Sequence, residues 1–276
     1  MTTSIPSPLV DALAEPAWRT VFRATCAAEW RKLRTVKSTM WTLALGAVSA
    51  LGFGVLLTAL EVSRWSHRSV LEVTGFDPML YSFAGLNVTE LAFGVLGVLV
   101  MTSEYSSRTI RMTFAATPQR RLVLYSKVTT FGALIGAVSL VSCLATFFIC
   151  QVILASKGAG LSIGQSGVAL AVVGGAVRLV LVGVIAVGLG AVMRRTAGAL
   201  AVLFTVLLIV PGLVTLLPSP WNDDITRYLP SSAGAAMSAV VRFPNLLTPW
   251  AGFAVLTFYA LAMLAAASVV LVRSDA

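Results

Sequence analysis

Four stretches of this chain, 40–60, 128–154, 197–217 and 250–272, each run for more than twenty residues without a single Asp, Glu, Lys or Arg. A bilayer core about 30 Å thick is crossed by roughly 20 apolar helical residues, so each stretch is long enough to span. In lipid every backbone amide and carbonyl must find its partner inside the segment, which makes the helix the natural form for such a run. Two further candidates carry charge. Segment 80–101 contains Asn87 and Glu90, and the apolar segment 167–193 is broken by Arg178. The sixth span is therefore placed at about 178–193, with Arg178 snorkelling to an interface. Apolar residues make up 58% of the chain and charged ones 11%, against about 25% charged in soluble domains, which fits a multi-span protein.

The remaining charge is lopsided, with 20 Lys and Arg against 11 Asp and Glu. The basic residues cluster beside apolar runs and form no stripe interleaved with aromatics, so topology and lipid headgroups account for them better than nucleic acid. With the N-terminus inside, Arg19, Arg23, Arg31, Lys32, Arg34 and Lys37 precede the first span. Arg108, Arg111, Arg120, Arg121 and Lys127 then share the next inner loop, followed by Arg194, Arg195 and Arg273. Fourteen of the twenty thus lie on one side, which predicts both termini in the cytoplasm of a multi-pass cell-membrane protein. The first forty residues hold no long apolar core, so no cleavable signal sequence is expected.

The chain divides into an N-terminal cytoplasmic segment, 1–39, and a six-span domain, 40–276. Within 18–36 the helical period places Trp18, Val21, Phe22, Cys26, Leu33 and Val36 on one side and Arg23, Arg31 and Arg34 opposite, as in an interfacial amphipathic helix. Glu29 and Lys32 break that pattern. They pair with each other at i, i+3, or Glu29 contacts a cytoplasmic partner. Gly132-x-x-x-Gly136 and Ala50-x-x-x-Gly54 are small-residue patterns that allow close helix approach, within the chain or between copies.

Enzymatic signatures are lacking. There is no G-x-x-x-x-G-K-S/T phosphate loop and no G-x-S-x-G elbow, so nucleotide hydrolysis is not expected of this chain. Cys143 and Cys150 lie about 10 Å apart along one helix, too far for a disulfide. A single histidine, His67, cannot build a metal cluster with them, and none is expected. Asp223-Asp224 reads as a solvated turn in an outer loop. Glu90 is the acidic residue well inside a span, with Asn87 on the same helix face. It either lines a pathway or fixes packing by bonding a neighbouring helix.

The most specific segment is MTSEYSSRTIRMTFAATPQRRLVLYSK, residues 101–127. A polar stretch is followed by Thr117-Pro118, where Thr117 is expected to cap a helix that begins at Pro118. The pattern T-S-E-Y-x-x-x-T-I-R-x-T-x-x-A-T-P-x-R-R resembles the first cytoplasmic loop of permeases of type-2 ATP-binding-cassette (ABC) exporters. Two further runs are similar to the same family: A-E-W-R-K-L-R-T-V-K-S-T at 28–39 and Y-L-P-S-S-A-G at 228–234. The resemblance implies an all-α membrane protein with six spans, an N-terminal connecting helix, a cytoplasmic coupling helix at 104–117 and a partly helical outer loop at 218–249. It implies that Glu104, Tyr105, Arg108, Thr109, Arg111, Thr117 and Pro118, with Glu29, couple the bundle to a separate ATPase subunit, which holds the ATP and magnesium. It also implies a second copy of the permease, and it leaves Asn87 and Glu90 as pathway candidates. A short helix over about 233–243, capped by Ser231 and Ser232, is expected to cover the outer end. A non-transporting sensor or immunity protein of the same fold, and an ion-gradient-driven transporter, are the competing readings.

Overall fold

The computed structural model describes residues 18–65, 76–107, 109–117, 119–219, 221–241, 243 and 246–273. All regular structure among them is helical. Six helices are long and apolar enough to cross a membrane, the make-up of a multi-pass membrane protein. They are α2 (Lys37–Ser63), α4 (Leu86–Ser106), α6 (Arg120–Ala155), α7 (Val168–Met193), α8 (Thr196–Val214) and α11 (Pro249–Arg273). Shorter helices lie at the two ends of the bundle. On the face that gathers most of the basic residues, called here the basic face, are α1 (Trp18–Thr35) and α5 (Thr109–Ala116). The far face carries α3 (Pro78–Ser82), α9 (Trp221–Thr226) and α10 (Pro230–Ser238).

α7 is the hub, and it packs against α4, α6, α10 and α11. Of its apolar window 61% is buried, against 22% for α8, so α8 is the most peripheral span. α4 and α7 approach closely because Gly97 faces the Gly183 carbonyl, where an added Cβ would lie only 2.6 Å from that oxygen. The Ala50-x-x-x-Gly54 pattern is used inside the chain: Gly54 faces the Ser82 carbonyl, and Gly85 is pressed against the carbonyls of Ser49 and Ala50. Asp77 caps α3 by accepting from the Met79 amide at 2.8 Å, and Pro78 starts the helix where no amide is needed. The other Asp77 oxygen accepts from the Val241 amide at 3.2 Å, which ties α3 to the segment after α10.

Several boundaries differ from those expected. The fourth span begins at Val168, ten residues before Arg178, because Arg178 is buried against a carboxylate and so does not end the apolar helix. It does not snorkel. Thr117 follows the last residue of α5 and is not a cap for α6: its amide donates to the Thr113 carbonyl at 2.9 Å, and α6 starts at Arg120. Pro118 lies outside the described residues, as does His67. α10 starts at Pro230 and stops at Ser238, short of 243, with Ser231 and Ser232 inside it and no side-chain cap at Leu229. Proline at the first helical position supplies the start signal that serine was expected to give.

In α8 a π-helical turn, Thr205–Ile209, precedes Pro211. Proline has no amide to return to the preceding turn, and the wider turn accommodates that loss. Arg194 ends α7 in the left-handed region at φ 56°, a conformation commonly given to glycine at helix ends.

Candidate functional site

Two buried charge clusters and one exposed helix organise the polar chemistry. The first cluster lies at the basic face, where α1, α4 and α6 meet. Lys127, 1% exposed, donates to Glu29 Oε2 at 2.7 Å and to Glu104 Oε1 at 2.6 Å. Lys32 closes the figure, with Nζ 2.8 Å from Glu29 Oε1 and 2.9 Å from Glu104 Oε1. Two carboxylates and two ammoniums alternate around a ring of zero net charge. Charges taken out of water are tolerated when paired in this way. The ring has unequal members, because Lys127 is fully enclosed while the Lys32 side chain is 49% exposed. Burial works against the Lys32 charge, but the hydrogen bonds and charges of Glu29 and Glu104 outweigh it and hold its ammonium above the ordinary lysine value.

This geometry corrects one expectation. Glu104 does not open a coupling helix; it sits in the last two turns of α4, buried, because the apolar sequence of the span carries the helix on to Ser106. Glu29 is buried and paired with Lys32 and Lys127. The i, i+3 pairing with Lys32 is present, and the structure adds the two long-range members. The ring forms part of the wall of a cavity of about 590 Å³ between α1, α2, α4 and α5, whose lining also includes Leu33, Leu96, Val100 and Met112.

α5 is the exposed element. Its Thr109 is exposed and hydrogen-bonds Ser107 at 2.9 Å, and Met112 is 77% exposed. Ile110 faces inward and is buried. Arg111 lies on α5, while Arg108 is outside the described residues. Tyr105 is half-buried at the end of α4, with the Arg194 guanidinium 5.6 Å from its ring centre. Thr117 is half-buried where α5 ends. Among the described side chains, the sequence-expected coupling residues therefore separate into buried Glu29 and Glu104, half-buried Tyr105 and Thr117, and exposed Thr109.

The second cluster lies toward the far face. Arg178 of α7 donates to Asn87 Oδ1 at 2.7 Å and is ion-paired with Glu90, both from α4. Arg178 and Glu90 are each 3% exposed. Of the two roles open to Glu90, bonding a neighbouring helix is the one the geometry shows. α10 covers the pair through Gly234, where a Cβ would fall 2.7 Å from Arg178 Cδ and Nε, so only glycine fits without a shift. Glu90 Oε1 and Arg178 Nε have no hydrogen-bond partner.

The sequence reading missed Lys127 and Arg178 as partners. For Arg178 a signal was present: one lone cation and one lone carboxylate in two different apolar spans are best buried together. Asp223 and Asp224 are exposed as expected but lie in the helix α9 and not in a turn, and Asp224 pairs with Arg227 just beyond it. Among the described residues no group of three His, Cys, Asp or Glu side chains is placed to hold a metal. Comparison of the chain with known protein families and with curated proteins finds no match.

Proposed function

We propose that this chain is the permease subunit of an ABC exporter, acting as a pair of copies with two separately encoded ATPase subunits that hold the ATP and magnesium. The observation that carries the reading is α5, an eight-residue helix between two spans at the basic face, which presents Thr109 and a 77% exposed Met112. An exposed methionine suits a socket on a partner, since its flexible thioether adapts to irregular surfaces. Behind α5 the ionic ring joins α1, α4 and α6, so a push on α5 is delivered to the ends of two spans and the connecting helix together.

In this reading the basic face is cytoplasmic and α1 is the connecting helix on the inner leaflet. Asn87, Glu90 and Arg178 hold α4 to α7 beneath α10, at the outer end of the pathway. The cargo is expelled when nucleotide binding draws the ATPases together and the two α5 helices tilt with them.

The test is reconstitution with the ATP-binding subunit. Met112→Asp places a charge in the socket without touching the core, and is expected to lower stimulated ATP hydrolysis by at least tenfold while the thermal midpoint stays unchanged. Undiminished stimulation in that variant would remove α5 from the coupling role.

A further inference from the structure

At the basic face the end of α11 is held by two arginines from different parts of the chain. Arg120, the first residue of α6, donates to the Leu271 carbonyl at 3.0 Å, and Arg194, at the corner between α7 and α8, donates to the Val270 carbonyl at 3.2 Å. A helix leaves its last carbonyls without intrahelical partners and carries partial negative charge there, so guanidinium groups are a fitting closure. The consequence is a local concentration of charge. Arg121 follows Arg120, Arg195 follows Arg194, and Arg273 lies two residues beyond Leu271; all three are exposed. Capping α11 occupies Arg120 and Arg194, and their exposed chain neighbours Arg121 and Arg195 lie at the same end of the bundle as Arg273. Among the described residues Glu104, beside Tyr105, is committed to Lys127 and Lys32.

What lies next to this charge is apolar and exposed. Tyr125 stands one turn along α6 from Arg121, Val269 and Val272 are on the last turns of α11, and Met193 precedes Arg194; their exposures run from 39% to 50%. A basic patch at the ends of spans, bordered on the span side by exposed apolar side chains, matches a molecule with an anionic head and hydrocarbon tails. An acidic protein surface would meet the charge but would leave those apolar flanks unsatisfied.

We infer that Arg121, Arg195 and Arg273 form a binding site for the phosphate headgroup of an anionic phospholipid, whose acyl chains run down the exposed flank of α6 and α11. The inference needs only the multi-pass fold and goes beyond the proposed coupling to an ATPase. The lipid bridges the ends of α6, α7 and α11 on their outer side, as Arg120 and Arg194 bridge them on the inner side. Each arginine near an anionic lipid surface contributes about fivefold in affinity, and three contribute on the order of a hundredfold.

The protein in mild detergent is titrated with phosphatidylglycerol, with phosphatidylcholine as the reference lipid, and bound lipid is counted by native mass spectrometry. The expected result is retention of phosphatidylglycerol at concentrations where phosphatidylcholine is lost, and loss of that preference by tenfold or more in Arg121→Gln/Arg195→Gln/Arg273→Gln. Arg273→Gln alone, at the last residue of α11, lowers it about fivefold, and it serves if the triple variant fails to fold. Arg23→Gln/Arg31→Gln/Arg34→Gln, on the exposed side of α1, keeps the preference. Equal retention of both lipids, or an equal loss in the α1 variant, overturns the site. Displacement of the lipid by millimolar inorganic phosphate overturns the lipid in favour of a free anion.

Discussion

Lys127→Met is the sharpest test of the ionic ring, because it removes one charge from a closed set and leaves the aliphatic volume almost intact. Lys127 is 1% exposed and its ammonium donates to two carboxylates at 2.6 and 2.7 Å. Without it, Glu29 and Glu104 share only Lys32, and a buried net negative charge remains. Removing one partner of a buried pair costs about 3–5 kcal/mol, which lowers the folded-to-unfolded ratio by more than a hundredfold. Lys32→Met deletes the same kind of charge from the same carboxylates, yet its side chain is half-exposed and solvent already screens it, so the expected cost is at most about 1 kcal/mol. Adding Glu104→Gln to Lys127→Met restores neutrality, since Glu29 and Lys32 still balance, and the double variant should be milder than the sum of the singles by about 1 kcal/mol or more. The assay is the denaturant midpoint of the purified, detergent-solubilised protein. If Lys32→Met costs as much as Lys127→Met, or if the double variant is additive, the ring is not the unit described here.

The second cluster gives a parallel expectation: Arg178→Met should lower the yield of folded protein sharply, and Arg178→Met/Glu90→Leu should recover much of it, read by monodisperse yield on gel filtration. Gly234→Val drives a side chain into Arg178 and should destabilise by about 1–3 kcal/mol, whereas Gly212→Ala, with open space around it, should be neutral or stabilise by up to about 1 kcal/mol; thermal midpoints decide both. For orientation, a cysteine at the exposed Ser106, with Cys26, Cys143 and Cys150 replaced, should react with an impermeant thiol reagent only after the cell is opened. Labelling from outside intact cells would reverse the proposed topology.

The four long uncharged runs were legible because the helix period and bilayer thickness act on composition alone, whereas the two spans that carry charge begin at Leu86 and Val168, away from the expected 80 and 178. Arg178 misled the boundary of α7 because a sequence shows a lone charge without its partner: Glu90 is 88 residues away, and only tertiary packing brings the two together. Glu104 was misassigned for a related reason. A carboxylate in a polar-looking segment reads as the start of a surface helix, yet the fold supplies Lys127 from 23 residues on and draws Glu104 inside. The π-turn before Pro211 and the left-handed Arg194 are local backbone solutions with no compositional signal beyond the proline itself. α5 was legible as a short helix between two spans. Its exposed Met112 was not, because exposure depends on what packs behind it.

The central claim, that this chain moves cargo as the permease of an ABC exporter, is tested most directly by purifying it together with its ATP-binding subunit and measuring both mass and hydrolysis. The account predicts a complex of two permeases and two ATPases, crosslinked through Met112→Cys, whose ATP hydrolysis responds to cargo, while the permease alone hydrolyses none. A lone permease that transports on an ion gradient, with no ATPase bound and no change when Met112 is altered, would contradict it.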